Sequence, residues 1–324
     1  MLSSHLNHHY KILIIGANGL LGRIISQHLD KLGCTLYGID NIPEAMPSPR
    51  FQLEGNEQSP LLKEAFPGKY SIADITDKDE LRTSMTAFGK IDVVIVLAAA
   101  LENQTPEVIN AVNVDGVNNI YKVCIQENIR RVIVTSSMMV LWDKYTHESP
   151  YSQIKNNTYE KRYDGFKKIT EADIFVESPV GETLSIAAYK NSKIKMEALA
   201  KGFVREDVTT ICMRVGSVNT LNQPPKEHTW AWTSHNDLCQ FIELSIKHLM
   251  SPFMARAQFL PFFLCSDNLL SIVSLSQAKE ILGYSPREGT NKLAQKNKLF
   301  QVATIVEEPE GDEPEFVKRF QSKL

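Results

Sequence analysis

An apolar run, Ile12–Ile15, passes straight into Gly16-Ala17-Asn18-Gly19-Leu20-Leu21-Gly22, and an amphipathic stretch, Leu20–Leu32, follows and ends at Gly33. Three glycines spaced by three at a strand-to-helix joint constrain this chain more than any other feature. Gly16 allows a tight turn, Gly19 lets the backbone approach a pyrophosphate, and Gly22 lets the helix pack closely on the sheet. The first turn of such a helix, around Leu20 and Leu21, offers free N–H groups and the positive end of a dipole to phosphates. A glycine-rich turn without ligand is the alternative. The strand before, the helix after and an acid closing the next strand favour the phosphate loop.

That acid is Asp40, followed by Asn41. A carboxylate there accepts hydrogen bonds from ribose hydroxyls and repels a 2′-phosphate, which points to NAD over NADP. Arg50 is ten residues on and serves a 2′-phosphate only if its loop folds back. Asp74, with Ile75 beside it, is expected to close a third strand and to face the adenine amino group.

Short β-branched runs alternate with amphipathic stretches over most of the chain. Strands are expected at Ile12–Ile15, Thr35–Ile39, Tyr70–Ile75, Ile91–Ala98, Arg131–Thr135 and Thr209–Arg214, with helices at Leu20–Leu32, Val112–Glu127 and Ser192–Val204. Strand and helix in steady succession imply right-handed crossovers and a doubly wound α/β fold, a parallel sheet with helices on both faces. The strands are continuously apolar, as strands buried on both sides must be.

Asn41–Gly68 holds five of the fifteen prolines and reads as loop. Pro224-Pro225 lies in an expected linker, Leu221–Thr229. The expected organisation is a dinucleotide-binding domain over 10–218, carrying an insertion at 142–188, then a small substrate-binding part over 219–300. An acidic tail, 301–324, follows.

Tyr189 and Lys193 are four apart and share a helix face. An ammonium beside a phenol stabilises the phenolate and brings its pKa from about 10 toward working pH. Tyr189 then serves as general acid/base for an alcohol proton. Ser137, at the end of an expected strand, is placed to bind the substrate oxygen. A Tyr-x-x-x-Lys pair alone is more often a surface pair; the preceding phosphate loop and serine change that balance.

The spacing Gly16, Gly19, Gly22, with Asp74-Ile75, Leu97-Ala98-Ala99, Asn113-Val114-Asp115-Gly116, Thr135-Ser136-Ser137, Tyr189-Lys190-Asn191-Ser192-Lys193 and Met213-Arg214-Val215-Gly216-Ser217, resembles the extended short-chain dehydrogenase/reductase family, also described as NAD-dependent epimerases and dehydratases. The resemblance runs from about Lys11 to Pro286, in the family's order. It implies a Rossmann fold and NAD lying along Asn18, Leu97, Ala98, Ala99 and Val215. It also implies Lys193 on the nicotinamide ribose, Asn113 supporting a proton-relay water, and a homodimer through Val112–Glu127 and Ser192–Val204.

The C-terminal third is similar to uronate dehydrogenases, in Ala231–Leu238, Cys265–Asn268 and Leu282–Pro286. By that resemblance Ser137, Met138, Ser217 and Lys226 line the substrate side. Two features depart from it. Met138 stands where those enzymes carry Asn, and the carboxylate-gripping Arg falls near Lys226-Glu227. Ser137 and Tyr189 are separated by 51 residues, about double the family's usual spacing, and the excess holds Lys155, Lys161, Arg162, Lys167 and Lys168. A lid, a reshaped pocket or a dimer contact all fit such an insertion.

The expected activity is hydride transfer between nicotinamide and a hydroxyl or carbonyl carbon of a small sugar, sugar acid or polyol. An NAD-dependent epimerase or dehydratase is the alternative. A non-catalytic nucleotide sensor is a third reading, against which the complete Ser137, Tyr189 and Lys193 set argues.

Composition sets the remaining bounds on 324 residues. A net charge of −3 gives no footprint for nucleic acid or an anionic membrane. The longest apolar run, Val93–Leu101, is nine residues, about half of a membrane span. Five scattered cysteines read as reduced, buried thiols in a cytoplasmic protein rather than disulfides or metal ligands. His5, His8 and His9 lie in a stretch without the features of a signal peptide and read as a short arm.

Overall fold

The computed structural model describes residues 10–46, 51, 54–56, 58–155, 166–173, 175–178, 183–225, 229–253 and 256–290. The N-terminal histidines, Arg50, Lys161, Arg162, Lys226 and the acidic tail lie outside the described residues.

The first half of the chain runs β1 (Lys11–Ile15), α1 (Leu20–Lys31), β2 (Thr35–Asp40), β3 (Lys69–Ile72), α2 (Lys78–Phe88), β4 (Val93–Val96), α3 (Pro106–Asn110), α4 (Val117–Gln126) and β5 (Arg131–Ser137). The second half runs α5 (Trp142–His147), α6 (Tyr151–Lys155), α7 (Leu184–Gly202), β6 (Thr209–Val215), α8 (His235–Leu249), β7 (Phe259–Leu264) and α9 (Ser276–Leu282). The strands form one seven-stranded sheet in the order β3-β2-β1-β4-β5-β6-β7, every neighbouring pair parallel. The order reverses between β1 and β4, the crevice where open α/β sheets bind ligands at their strands' C-terminal ends.

Strand alternation explains the apolar runs. Ile12, Ile14, Val93, Ile95, Ile133 and Ile211 face α1 and α8, packing on Ile24, Leu29, Leu238, Phe241 and Ile242. Leu13, Ile15, Val94, Val96, Val132 and Val134 face the other way, onto Leu81, Ile120, Cys124, Met196 and Ala200 of α2, α4 and α7. With both faces covered, every position of β1 and β4 after the partly exposed Lys11 is buried and apolar.

Several boundaries differ from expectation. The strand expected over Tyr70–Ile75 is Lys69–Ile72, because Asp74 Oδ1 accepts from the backbone N and the Oγ1 of Thr76 and turns the chain away. The helix expected over Val112–Glu127 begins instead at Pro106, capped by Thr105, and passes through a π-helical turn, Ala111–Gly116, before α4. The helix expected at Ser192 starts at Leu184, where the Thr183 hydroxyl accepts from Ile186 N.

The stretch after residue 218 contributes to the main sheet. β7 pairs with β6 from Thr210↔Phe259 to Val215↔Leu264, and α8 covers the same face as α1. The insertion also packs onto this part. Ile169 N donates to Ile272 O and Ile169 O accepts from Ser274 N, while Tyr145, Tyr151 and Ile154 share a core with Met138, Trp230, Phe263 and Val273.

Candidate active site

The phosphate loop takes the shape its glycines allow. Gly16 has φ +89°, and a Cβ there would stand 2.5 Å from Ala98 N. A Cβ on Gly22 would run into the Gly16 and Ala17 carbonyls, so α1 packs closer than any other residue permits. Gly19 caps α1 with no side-chain hydrogen bond, and the first turn, Leu20 and Leu21 included, carries no acid. That uncapped, acid-free N-terminus suits a pyrophosphate, which would take up its N–H groups.

Asn18 is buried, and its side chain fixes the loop rather than facing outward. Its Nδ2 donates to the carbonyls of Pro43 and Met46, and its Oδ1 accepts from Arg23. Arg23 also reaches the carbonyls of Leu61, Glu64 and Glu44, so its guanidinium is committed to the loop after β2. Asp40 closes β2, its Oδ2 accepting from Asn18 N and its Oδ1 from Asn41 N, both at 2.9 Å. Burial pushes its carboxyl above the usual range, against the pull of these N–H donors. A third backbone donor, Ile42 N, also acts on the carboxylate, which sits where a ribose hydroxyl would reach it.

Asp74 and Ile75 follow β3 in a turn that α4 holds, because Asn119 Nδ2 donates to the Ile75 and Thr76 carbonyls. A Cβ at Gly116 would meet Ile75 Cγ1 at 2.7 Å, which explains the glycine in Asn113-Val114-Asp115-Gly116. Leu97 and Ala98 follow β4, both N–H groups donating to Ile15 O, with Ala99 next in the chain. Of the cofactor residues expected from the sequence, Gly16–Gly22, Asp40, Asn41, Asp74, Ile75 and Leu97–Ala99 therefore lie at or after the C-terminal ends of β1, β2, β3 and β4, whereas Val215 ends β6 and Tyr189 and Lys193 lie on α7.

On the other side of the crevice, Ser137 ends β5 and Met138 follows. Ser137 Oγ accepts from Met139 N at 3.1 Å, which leaves its own hydrogen for another acceptor. Met138 is buried in the core formed with the insertion. Val215 ends β6, and Ser217 is pinned by Ser217 N donating to Ala231 O and Thr233 N donating to Ser217 O. Lys226 lies outside the described residues.

Tyr189 and Lys193 stand on α7. Both are buried, and Lys193 Nζ lies 5.6 Å from the centre of the Tyr189 ring. Tyr189 packs with Ala100 and Ile109, bordered by Leu101, Val112, Met139 and Ala188. Lys193 Nζ donates to Thr135 O at 3.0 Å, and burial lowers its pKa from 10.5 to about 8.

Asn113, expected beside a relay water, is fully buried within the π-helical turn. Its Oδ1 accepts from Ala100 N, and its Nδ2 donates to Ala100 O and Ser192 Oγ. Both amide hydrogens are thus spent, and the side chain is a brace between the loop after β4 and α7.

A buried network went unread in the sequence. Ser136 Oγ donates to Glu197 Oε1 at 2.6 Å, and Arg214 donates to both oxygens of Glu197 at 3.0 and 2.7 Å. Glu197 is four residues after Lys193, the one periodic signal that pointed to it. Among the described residues no His, Cys, Asp and Glu group is arranged to hold a metal, and no helix is long and apolar enough to cross a membrane.

The chain is similar over 290 residues, at 21% identity, to an NAD-dependent glucose-6-phosphate dehydrogenase of Haloferax volcanii, covering 86% of this chain and 94% of that one. Among solved structures, uronate dehydrogenase from Agrobacterium tumefaciens matches with TM-score 0.62 and 17% identity over 95% of this chain and 93% of that one. Glucuronic acid dehydrogenase from Chromohalobacter salexigens matches with TM-score 0.64 and 17% identity, over 94% and 91%. UDP-glucose 4-epimerase from Brucella ovis, in complex with NAD, shares the fold with TM-score 0.61 and 14% identity, over 86% and 94%. The sequence model of the 3-beta hydroxysteroid dehydrogenase/isomerase family matches residues 13–180, more than half of the chain. With the phosphate loop and the tyrosine–lysine pair on one crevice, the chain belongs to the 3-beta hydroxysteroid dehydrogenase/isomerase family.

Proposed function

We propose that the chain is an NAD-dependent dehydrogenase acting on a hydroxyl-bearing carbon of a small sugar, sugar acid or polyol, with Tyr189 as general acid/base. The observation that carries this reading is the buried Lys193 ammonium, 5.6 Å from the Tyr189 ring and anchored on Thr135 O. NAD, when bound, supplies the hydride acceptor.

Lys193 stabilises the Tyr189 phenolate, which takes the alcohol proton. Ser137 donates its free hydrogen to the substrate oxygen and fixes it for the reaction. The apolar wall of Ala100, Ile109, Leu101 and Met139 keeps water from the phenol, which strengthens the lysine's effect. Asp40 supports NAD over NADP, because Arg23, the nearest described arginine, has its donors committed elsewhere. The homodimer face of α4 and α7 and a cytoplasmic setting belong to the same reading; the five free, buried thiols support the latter.

The test is an absorbance screen for NADH across uronates, aldoses and polyols, run on the wild type and Tyr189→Phe. Steady NADH formation that falls by roughly 10²–10⁴ in Tyr189→Phe, with NAD affinity kept, is expected. Turnover without net NADH would indicate an epimerase. Unchanged kcat in Tyr189→Phe would sink the tyrosine's role.

A further inference from the structure

Between Tyr189 and Lys193 stands a second lysine that the proton transfer does not use. Lys190 is 0% exposed. Its Nζ donates to Asp143 Oδ1 at 2.8 Å and to Ser178 Oγ at 2.7 Å, and Ser178 Oγ donates to Asp143 Oδ2 at 2.8 Å. The three groups close a triangle. The next residue reinforces it: Asn191 Oδ1 accepts from Ser178 N at 3.1 Å, and Asn191 Nδ2 donates to Ser178 O at 2.9 Å.

Burying an ammonium costs several kcal/mol, and a methionine of similar length would fill the same space without that cost. Stability alone does not call for a lysine here. What the charged triangle adds is direction. Asp143 opens α5, six residues beyond Ser137, and Ser178 stands near the end of the same excursion. Lys190 therefore ties the departing and the returning chain to the turn of α7 that carries Tyr189.

Two further described residues of the excursion are fixed to the body by other means. Glu171 Oε1 accepts from Phe263 N at 3.0 Å, and the Phe175 ring lies 4.7 Å from the Arg214 guanidinium. In its described parts the segment is thus packed onto β6 and β7 rather than left as a free flap.

We propose that Lys190 is a positioning residue: through Asp143 and Ser178 it holds the described ends of this excursion, 142–155 and 175–178, as a substrate-side wall against the Tyr189 turn. The inference rests on the dehydrogenase reading only for its kinetic consequence. Lys190 sets where the substrate sits relative to Tyr189 without touching the cofactor side of the crevice.

The test uses Ser178→Ala, Lys190→Met and the double variant Asp143→Asn/Lys190→Met. The double variant removes both charges and leaves no buried ion unpaired; Ser178→Ala loosens the triangle even where Lys190→Met does not fold. Hydrogen exchange should show loss of protection confined to 175–178 and the first turns of α7, with β1 and β5 unchanged. KM for D-glucuronate should rise about tenfold while the Kd for NAD stays within about twofold.

Variants that lose thermal stability but keep both the wild-type KM and the wild-type exchange at 175–178 would reduce Lys190 to a structural residue and overturn the proposal. A wild type inert toward D-glucuronate would count against the substrate class alone. The exchange measurement needs no substrate and decides for or against Lys190 in that case too.

Discussion

The Lys193 ammonium donates to the Thr135 carbonyl across 3.0 Å, tying α7, the helix of Tyr189, to the strand that ends at Ser137. Thr135 is two residues from Ser137, so this contact ties the strand end that carries Ser137 to the helix that carries Tyr189. Tyr189 and Ser137 come from elements far apart in sequence. Lys193 holds them to one crevice.

That burial has a measurable consequence. The folded pKa of Lys193 is about 8, below its ordinary 10.5. Between those values the folded state binds fewer protons than the unfolded chain, so stability rises with pH across that window. Urea unfolding of the wild type and Lys193→Met at several pH values isolates the effect. The wild type should gain stability relative to the variant from pH 8 upward, with a flat difference below. A difference that falls over that range would show that Lys193 is not held in this environment.

Asp40 gives the second prediction. Its carboxylate takes backbone N–H groups of Asn18, Asn41 and Ile42, the first from the phosphate loop itself. Asp40→Ala removes the ribose acceptor and loosens Asn18 together. Hydrogen bonds to a charged group are worth about 1.5–3 kcal/mol, so the Kd for NAD should rise by roughly one to two orders of magnitude. The Kd for NADP should change less, because the carboxylate no longer repels a 2′-phosphate. Calorimetric titration with each nucleotide measures both, and an equal loss for the two would overturn the specificity role.

The parts of this molecule legible in sequence are those made by local spacing. Gly16, Gly19 and Gly22 announce the loop by their spacing, though the crowding at Gly16 comes from Leu97 and Ala98 after β4, and Tyr189 with Lys193 share a face because a helix repeats nearly every four. β7 escaped because Pro261 interrupts Phe259–Leu264; it is tolerated since β7 lies at the sheet's edge, where a missing N–H need not break a ladder. The start of α3 was hidden by Thr105-Pro106, a cap and first-turn proline that read equally well as loop. The Lys190 triangle was invisible because its partners lie 47 and 12 residues away, beyond any helical period. Asn113 was recognised by motif, yet only the fold shows that its amide is consumed by Ala100 and Ser192.

Asn113 accordingly makes a stability prediction. Asn113→Ala leaves the buried N–H and carbonyl of Ala100 without their side-chain partner and removes a bond to Ser192. Each orphaned buried group costs about 1–3 kcal/mol, so a loss of about 3 kcal/mol in urea unfolding is expected. A loss below about 1 kcal/mol would mean that the π-helical turn holds without this brace.

The Glu197–Arg214 pair separates charge from packing. Both side chains are nearly buried, the Arg214 guanidinium lies over the rings of Phe175 and Phe263, and its Nη1 has no hydrogen-bond partner among the described residues. Arg214→Met leaves the buried Glu197 carboxylate without its guanidinium, facing the Ser136 hydroxyl and the Cys212 thiol, and should cost about 3–5 kcal/mol. Glu197→Gln combined with Arg214→Met removes the stranded charge and should recover most of that loss, since apolar replacement of a whole buried pair is often close to neutral. Urea unfolding of the two single variants and the double measures the coupling. Additive losses would show that the two side chains contribute through packing alone, and that the bond from Ser136 to Glu197 does not depend on Arg214.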